Sequence, residues 1–490
     1  MSQQSVDDKM VDEKTTTPTN LSANEAPLDS ELYIDPKEEK KLLRKLDFFL
    51  ISLLGTLYLL SFLDRSNIGN ANIAGLSTDL GLVGNQYGAA VSVVYSTYVA
   101  FEPVWSNLLK VIGAKRLMTV STLLWGAVTT GTAFVKNWDQ LMAVRVLLGA
   151  FEAGLFPCVN MYLAMSYRPD EQGKRLSYVF VCAAISGAFG GLLAFGLTQI
   201  KGGSLASWQY LYLVEGIISL SFAPIIYFML PNTLDKAWWL NRRERELCVI
   251  RYEINRKNYD VKEKFSWGQV KLAALDWKTW SHSVNQFCVD TTLYGLTTFM
   301  PVIIKGLNLT KNTVDAQLLT VPVYFVAATS YVIGAHYSDK YQNRSLFIIL
   351  YMAIAAIGYL ILAIAESTKV RFGGVFVVGL SLYGAVGLNV TWVTTNTAGH
   401  FRRATSVGLM QLVGNSSGAA IGFIYNAKEA PRYNKGLWIA FSLSILSIII
   451  TALHAFALRR INARRAELVA AGAADQQELG SDNPHFKFML

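Results

Sequence analysis

Two groups of ionisable residues lie inside long apolar stretches of this sequence, and they are the first candidates for chemistry. Asp64 and Arg65, followed by a serine and an asparagine, stand near the end of the first stretch, and Arg145 and Glu152 stand in the fourth. A charged side chain in membrane hydrocarbon is costly unless it is paired or hydrated. These residues therefore indicate a lined cavity or a packed helix contact rather than a lipid-facing surface.

Arg65 has the chemistry of an anion-binding residue. Its guanidinium offers a fixed fork of N–H donors that matches a carboxylate, and its charge persists at every physiological pH. One interpretation is that Arg65 contacts an anionic substrate. The other is that Asp64 and Arg65 neutralise each other and hold the first span in place, and we expect Asp64 to be structural.

Arg145 and Glu152 are seven residues apart, so they share one face of a helix. Intramembrane carboxylates often belong to proton relays, and Glu152 could load and release a proton. The alternative is a permanent pair in which Arg145 keeps Glu152 ionised. Gly149 and Gly154 in the same stretch would allow another helix to approach closely.

A third group of polar residues follows the apolar stretches of the second half. Such amides and aromatics could line a cavity, or they could serve as contacts between helices worth about 1 kcal/mol each. They are His282, Gln286, Asp290 and Tyr294 in the seventh stretch, Asn389, Trp392 and Asn396 in the tenth, and Gln411, Asn415 and Ser416 in the eleventh.

The elements that position these residues are membrane spans. Of the 490 residues 52% are hydrophobic and only 16% are charged, and the charges collect between the apolar blocks. A span needs about 20 predominantly apolar residues, and this rule predicts an all-α membrane protein with twelve transmembrane helices. The predicted spans are 47–72, 85–108, 117–135, 139–166, 176–199, 208–230, 278–303, 316–338, 345–365, 373–397, 405–426 and 437–458.

One long charged connection divides the spans into two six-helix halves, an organisation typical of secondary carriers. We expect residues 1–46 to form a disordered tail that ends in an amphipathic helix on the membrane surface. The other predicted parts are a six-helix bundle at 47–230, a central loop at 231–277, a second bundle at 278–458 and a tail at 459–490.

Basic residues give the predicted orientation. Lysine and arginine concentrate before the first span, in the central loop and after the last span, which places both termini in the cytoplasm. The formal net charge of +9 therefore reflects membrane topology rather than nucleic-acid binding. The sequon at Asn308 would then face outside and could be glycosylated.

Catalytic and metal-binding patterns are missing from the sequence. It contains no glycine-lysine phosphate loop, no HExxH and no paired CxxC, and its four cysteines lack metal-ligand spacing. We therefore expect neither an enzyme nor a protein that carries a metal or a cofactor.

The chain resembles the fungal anion:cation symporters of the major facilitator superfamily, a group that includes allantoate, nicotinate and pantothenate permeases. The resemblance covers residues 35–460. The residues that carry it are Leu63-Asp64-Arg65-Ser66-Asn67-Ile68-Gly69-Asn70-Ala71, Arg145 with Gly149, Glu152 and Pro157, Ser338-Asp339-Lys340 with Arg344, Gly414-Asn415, and Ala430-Pro431-Arg432-Tyr433.

The resemblance implies a monomeric carrier of the major facilitator fold that works by alternating access. It implies that Arg65 binds a substrate carboxylate, and that Glu152, partnered by Arg145, couples transport to protons. Asp339, Lys340 and Arg344 would form a gating loop. The seventh span lacks the arginine of the vesicular glutamate branch, which favours a monocarboxylate, and a ring on it could stack on Tyr95, Tyr98, Tyr294 or Trp392. The predicted substrate-binding set is Arg65, Tyr95, Tyr98, Gln286, Tyr294, Asn389, Trp392 and Asn415.

The leading hypothesis is proton-coupled uptake of a small organic monoanion at the plasma membrane. The expected partners are that anion, protons and the lipid bilayer. Export of a secondary metabolite is one alternative, because the sequence does not determine the direction of flux. A transporter-like nutrient receptor that signals through its tails is another.

Overall fold

The computed structural model describes residues 34–200, 203–258, 267–307, 309, 313–430, 432–475 and 477–490. Within these residues the chain folds into helices joined by turns. Residues 1–33 of the tail expected at 1–46 and the sequon asparagine, Asn308, lie outside the described residues, so the predictions made for them remain predictions.

The first half begins with a short helix, continues through six long rods and ends in two shorter helices. Its helices are α1 (Pro36–Leu46), α2 (Ser52–Ile73), α3 (Gln86–Ile112), α4 (Ala114–Thr132), α5 (Trp138–Glu152), α6 (Leu155–Ser166), α7 (Pro169–Leu197), α8 (Ser207–Met229), α9 (Arg242–Asn258) and α10 (Trp267–Leu275).

The second half repeats the pattern. Its helices are α11 (Trp277–Gly306), α12 (Thr320–Tyr341), α13 (Arg344–Ile364), α14 (Thr368–Gly379), α15 (Gly384–Asn396), α16 (His400–Ile424) and α17 (Asn434–Ala470). Short helical turns occur at Asp47–Ile51, Leu76–Asp79, Leu234–Lys236, Thr313–Leu318, Ala427–Glu429 and Gln477–Asp482.

Length and composition confirm the predicted membrane architecture. Ten helices of the described residues are long and apolar enough to cross a membrane. The more polar helices α3 and α4, with 27 and 19 residues, bring the long rods to twelve. Two rods are each made of two helices, α5 with α6 and α14 with α15.

Successive rods alternate in direction, so one face of the bundle carries α1, α9, α10 and the end of α17. We call it the inner face, because the sequence predicts it to be cytoplasmic, and we call the opposite side the outer face. The two halves meet where α2 packs on α11, α3 on α16 and α7 on α12. The residues between these three contacts form the centre of the molecule.

The halves are closed against each other toward the outer face. The closest approach is at Gly88 of α3 and Gly422 of α16, where an added Cβ at Gly422 would lie 1.7 Å from the carbonyl oxygen of Gly88. The backbone N–H of Gly422 also donates to Ser92 Oγ at 3.0 Å. Small residues permit this contact because they let two backbones touch.

We expect Gly422→Ala to disfavour the closed outer side. Overpacking costs about 1–3 kcal/mol, which corresponds to a roughly 5- to 150-fold change in the population of that state. The measurement is the initial rate of substrate transport at matched surface abundance. Gly408→Ala in the same helix is the control, since a Cβ there meets nothing within 4 Å. Equal rates in the two variants would contradict the prediction.

The amphipathic segment before the first span packs on protein, and its position at the membrane surface stays a prediction. Helix α1 starts at Pro36 with Asp35 as its cap, and Leu42 and Leu46 are buried in the core. Its charged side pairs with α9, since Lys45 Nζ lies 2.7 Å from Glu244 Oε2. The apolar stripe of α1 therefore covers a protein surface.

The described part of the central region, predicted as a loop, is largely helical. It contains α9 and α10, and α9 contacts the six-rod bundle through Arg251, which lies 2.6 Å from Glu171 at the start of α7. The last helix is longer than the predicted span, because α17 continues without a break past Arg459 to Ala470.

Two rods are broken near the centre. The first breaks between α5 and α6 at Gly154, where the indole of Trp105 donates to the carbonyl of Ala150 at 2.6 Å. A side chain that inserts into a helical hydrogen-bond ladder is a known cause of such breaks. The second break, at residues 380–383, separates α14 from α15.

Candidate functional site

A small cavity lies between the two halves at mid-depth. Its volume is about 20 Å³, which is room for about one water molecule. The cavity is therefore contracted in this conformation. It is lined by Tyr58, Phe62, Arg65, Tyr98, Phe156, Phe180, Gln286, Asp290, Leu293, Tyr294, Tyr383, Val386, Gln411 and Asn415.

Arg65 is the cation of this cavity. Its Nε donates to Glu152 Oε1 at 2.8 Å, and its guanidinium lies over the ring of Tyr98 at 4.4 Å and near that of Phe62 at 5.4 Å. Guanidinium groups are attracted to aromatic faces, so these rings support Arg65 beside the cavity.

Glu152 is buried behind Arg65 and is fully enclosed, with 0% exposure. Its Oε1 accepts hydrogen bonds from both Ser61 and Arg65. Its Oε2 has no hydrogen-bond partner among the described residues. Glu152 therefore contacts the cavity only through Arg65.

The predicted pairing of Arg145 with Glu152 is wrong. Arg145 donates instead to the hydroxyl of Tyr212 on α8, and its guanidinium lies 5.7 Å from that ring. Seven residues along a helix span about 10 Å of its axis, so the two side chains share a face without meeting. The partner of Glu152 comes from α2.

The second half supplies the amide and phenol groups of the cavity. Gln286 Nε2 donates to Asp290 Oδ1 at 3.0 Å, and Tyr294 Oη donates to Asn415 Oδ1 at 2.8 Å. Tyr95 does not line the cavity, but its ring lies 4.7 Å from that of Tyr294. Of the predicted substrate-binding set, Arg65, Tyr98, Gln286, Tyr294 and Asn415 thus come together.

Asn389 and Trp392, also predicted to bind substrate, lie elsewhere. Asn389 bonds to His282, its Oδ1 lying 2.8 Å from His282 Nδ1, and to the side-chain oxygen of Gln286 at 2.8 Å. Trp392 Nε1 donates to the carbonyl of Met489 at 2.9 Å. Neither side chain lines the cavity. Asn389 positions Gln286, and Trp392 contacts the end of the chain.

Several cavity residues were absent from the predicted substrate-binding set. Asp290 and Gln411 belong to polar stripes that the sequence shows, so their spacing was an available signal. Tyr383 lies at the break before α15, and Phe62 lies one helical turn before Arg65. The sequence alone does not distinguish an aromatic residue that lines a cavity from one that packs in the core, because both occur in apolar spans.

Three further carboxylates are buried close to this site, and one of them, Glu102 of α3, is 7% exposed. Asp64 is 1% exposed and accepts from Ser219 Oγ at 3.1 Å. Glu215, one helical turn before Ser219, is 0% exposed, and neither of its carboxylate oxygens has a hydrogen-bond partner among the described residues. Tyr212, Glu215 and Ser219 lie on one face of α8, and Asp64 of α2 packs against it. The sequence analysis singled out neither Glu102 nor Glu215.

The predicted gating loop lies at the inner face, between α12 and α13. Arg344 Nη2 lies 2.6 Å from Asp339 Oδ1, and the ammonium of Lys340 lies 6.0 Å from the ring of Tyr341. The Asp339–Arg344 ion pair joins the ends of two neighbouring helices. Its role in gating stays a prediction.

Comparisons with known proteins identify the architecture. The chain is 42% identical over 457 residues to the high-affinity nicotinic acid transporter of Saccharomyces cerevisiae, covering 92% of this chain and 85% of that protein. It is 31% identical over 495 residues to the MFS-type transporter cnsO of Penicillium expansum, covering 97% of this chain and 95% of that protein.

A solved structure shares the fold. The partially occluded inward open conformation of the xylose transporter XylE from E. coli superposes with a TM-score of 0.63 at 16% identity, covering 82% of this chain and 97% of that one. The family model described as Major Facilitator Superfamily matches residues 54–423. Its members and these relatives are transporters rather than enzymes, and the chain belongs to the Major Facilitator Superfamily.

Proposed function

We propose that this transporter carries a small aromatic monocarboxylate, nicotinate first among the candidates, into the cell together with a proton. The observation that carries the proposal is the position of Arg65, which lines the central cavity and is bonded to the buried Glu152. One guanidinium can thus serve a substrate carboxylate on one side and a proton-binding carboxylate on the other.

Coupling follows from competition for Arg65. While Glu152 is ionised it holds Arg65 by a charge-assisted hydrogen bond. A proton on Glu152 weakens that bond and frees the guanidinium for the substrate carboxylate. Substrate and proton then bind together, and each favours the binding of the other, because linkage between two ligands is reciprocal.

The other cavity residues suit a ring. Tyr58, Phe62, Tyr98 and Tyr294 line the same cavity as Arg65, and aromatic rings stack well on a flat heterocycle. The pyridine nitrogen of nicotinate can accept a hydrogen bond, and Gln286 beside Asp290 can be the donor. The relative from Saccharomyces cerevisiae is named for nicotinic acid, which supports this substrate class. The contracted cavity must open to admit it.

Charge balance supports a bound proton in the first half. Four buried carboxylates, Asp64, Glu102, Glu152 and Glu215, face two arginines, Arg65 and Arg145. An unbalanced buried charge is strongly unfavourable, so at least one carboxylate is protonated. Glu215 is the best candidate for a permanent proton, because it has no ionic partner among the described residues and does not line the cavity.

We therefore expect Glu215→Gln to retain uptake within about twofold of wild type, since glutamine reproduces a protonated glutamate that never ionises. The measurement is labelled nicotinate accumulation at matched surface abundance. Loss of accumulation in this variant would show that Glu215 exchanges its proton during transport, and would contradict its structural assignment.

The function itself is tested by uptake of labelled nicotinate in yeast cells that lack their own nicotinate transporter and express this chain. We expect accumulation that rises as external pH falls and collapses with a protonophore. Uptake that a protonophore does not change would refute proton coupling. We further propose that the transporter is a plasma-membrane monomer with both termini in the cytoplasm.

A further inference from the structure

The last ten described residues, 481–490, are bound to the inner face of the second half; we call them the C-terminal segment. They lie against the ends of α11, α15, α16 and α17. Phe488 is only 2% exposed, although its neighbours His485 and Lys487 are exposed. The Phe488 side chain is therefore packed into a surface formed by the second half.

Two asparagines hydrogen-bond to the backbone of consecutive residues of this segment. Asn396 of α15 donates to the carbonyl of Met489 at 2.8 Å and accepts from its N–H at 2.8 Å. Asn462 of α17 does the same for Phe488, at 2.8 Å and 2.9 Å. Such paired contacts to backbone N–H and C=O groups are how proteins hold an extended peptide.

Side chains add a pocket and an ionic contact. The ring of Phe488 lies 4.5 Å from the guanidinium of Arg465 and 5.2 Å from the ammonium of Lys278. Arg402 bridges two carboxylates, Asp482 of the segment at 2.6 Å and Asp276 before α11 at 2.9 Å. The backbone contacts, the ring and the acid together define a peptide-binding groove.

The groove reaches the broken rod of the second half. Trp392 and Asn396, which both bond to Met489, lie on α15, beyond the break at 380–383. Val386 at the start of α15 lines the central cavity. Because Asn462 lies on α17, the segment connects the end of α15 to an unbroken helix.

We propose that this groove is a peptide-binding site whose resident ligand is the C-terminal segment, and that the bound segment is a latch holding α15 against the second half. When the segment leaves the groove, α15 can bend at the break and the central cavity opens toward the inner face. Anything that competes for the groove or modifies the segment would then change access to the cavity.

Binding is tested on the full chain by hydrogen–deuterium exchange of residues 481–490. We expect slow exchange at the Phe488 and Met489 amides in wild type, and exchange at least about tenfold faster in Phe488→Ala, since protection follows the local opening equilibrium. Lys487→Ala is the matched control, because its side chain is exposed and adjacent. Equal exchange in both variants would overturn the proposal.

Latching is tested with a cysteine at the cavity, Val386→Cys, and a membrane-permeant thiol reagent. We expect labelling of this cysteine to be at least about tenfold faster when it is combined with Phe488→Ala than with Lys487→Ala. The chain that keeps Val386 gives the background labelling. Asn462→Ala, which alters the groove rather than the segment, should act like Phe488→Ala. Unchanged labelling in both would refute the latch.

These measurements need no substrate, so they can refute the latch while the proposed transport function stands. Likewise, the transport function can be refuted while the latch stands. Any variant whose membrane abundance falls is re-examined with the synthetic peptide of residues 481–490 added in trans to the chain that carries Phe488→Ala. Slower labelling of the cavity cysteine with this peptide, and not with the peptide that carries the same alanine, supports the latch. No effect of either peptide counts against it.

Discussion

Replacing Glu152 by glutamine is expected to abolish concentrative uptake while exchange of substrate across the membrane continues. Glutamine resembles the protonated carboxylic acid, so Arg65 loses its ionic partner and stays available to the substrate at every pH. The proton gradient then has no group through which to act. Labelled substrate should equilibrate without accumulating, and its entry should no longer depend on external pH.

The control for this variant is Glu215→Gln, which neutralises another buried carboxylate of the same half. We expect this control to keep accumulation of substrate. Counterflow into preloaded vesicles separates loss of coupling from loss of folding. Normal pH-dependent accumulation by the Glu152→Gln protein would remove Glu152 from the coupling mechanism.

The second large effect is expected at Arg65. Lysine keeps the charge but cannot form the planar fork that binds a carboxylate through two donors. Hydrogen bonds to charged groups contribute about 1.5–3 kcal/mol, so Arg65→Lys should raise KM for the anion roughly 10- to 150-fold. The measurement is the concentration dependence of initial uptake.

Arg145→Lys is the comparison for Arg65→Lys. Arg145 is buried in the same half but contacts Tyr212 rather than the cavity, so this change is expected to alter abundance more than KM. An Arg65→Lys protein with a wild-type KM would show that the substrate carboxylate binds elsewhere, and Gln286 and Asn415 would be the next residues to test.

The sequence predicts the membrane architecture well because the dominant force, the hydrophobic effect, leaves a pattern that is visible along the chain. Each span must be long and apolar, and this property can be read without knowing any contact. The two-half organisation follows from one long charged connection. The edges are less certain, as α17 shows, because a polar helix can continue beyond the membrane once protein or water satisfies its side chains.

The candidate site is harder to predict, because pairing depends on neighbouring helices. The spacing of Arg145 and Glu152 gives a shared face, but the partner of Glu152 is 87 residues away on α2. The sequence predicts that Trp392 lines the cavity, but its indole donates to the carbonyl of Met489, which is 97 residues away. Glu215 stands alone in an apolar span, and only its packing shows that it belongs to a cluster of acids.

The length of α17 has a practical consequence for imaging this protein. Its 37 residues extend over about 55 Å, whereas membrane hydrocarbon is about 30 Å thick, so the helix projects from the inner face as a stiff rod. Ala471 and Gly472 follow it in an exposed turn. A rigid domain inserted there would provide an alignment mark for electron cryomicroscopy, and residues 481–490 could still return to their groove.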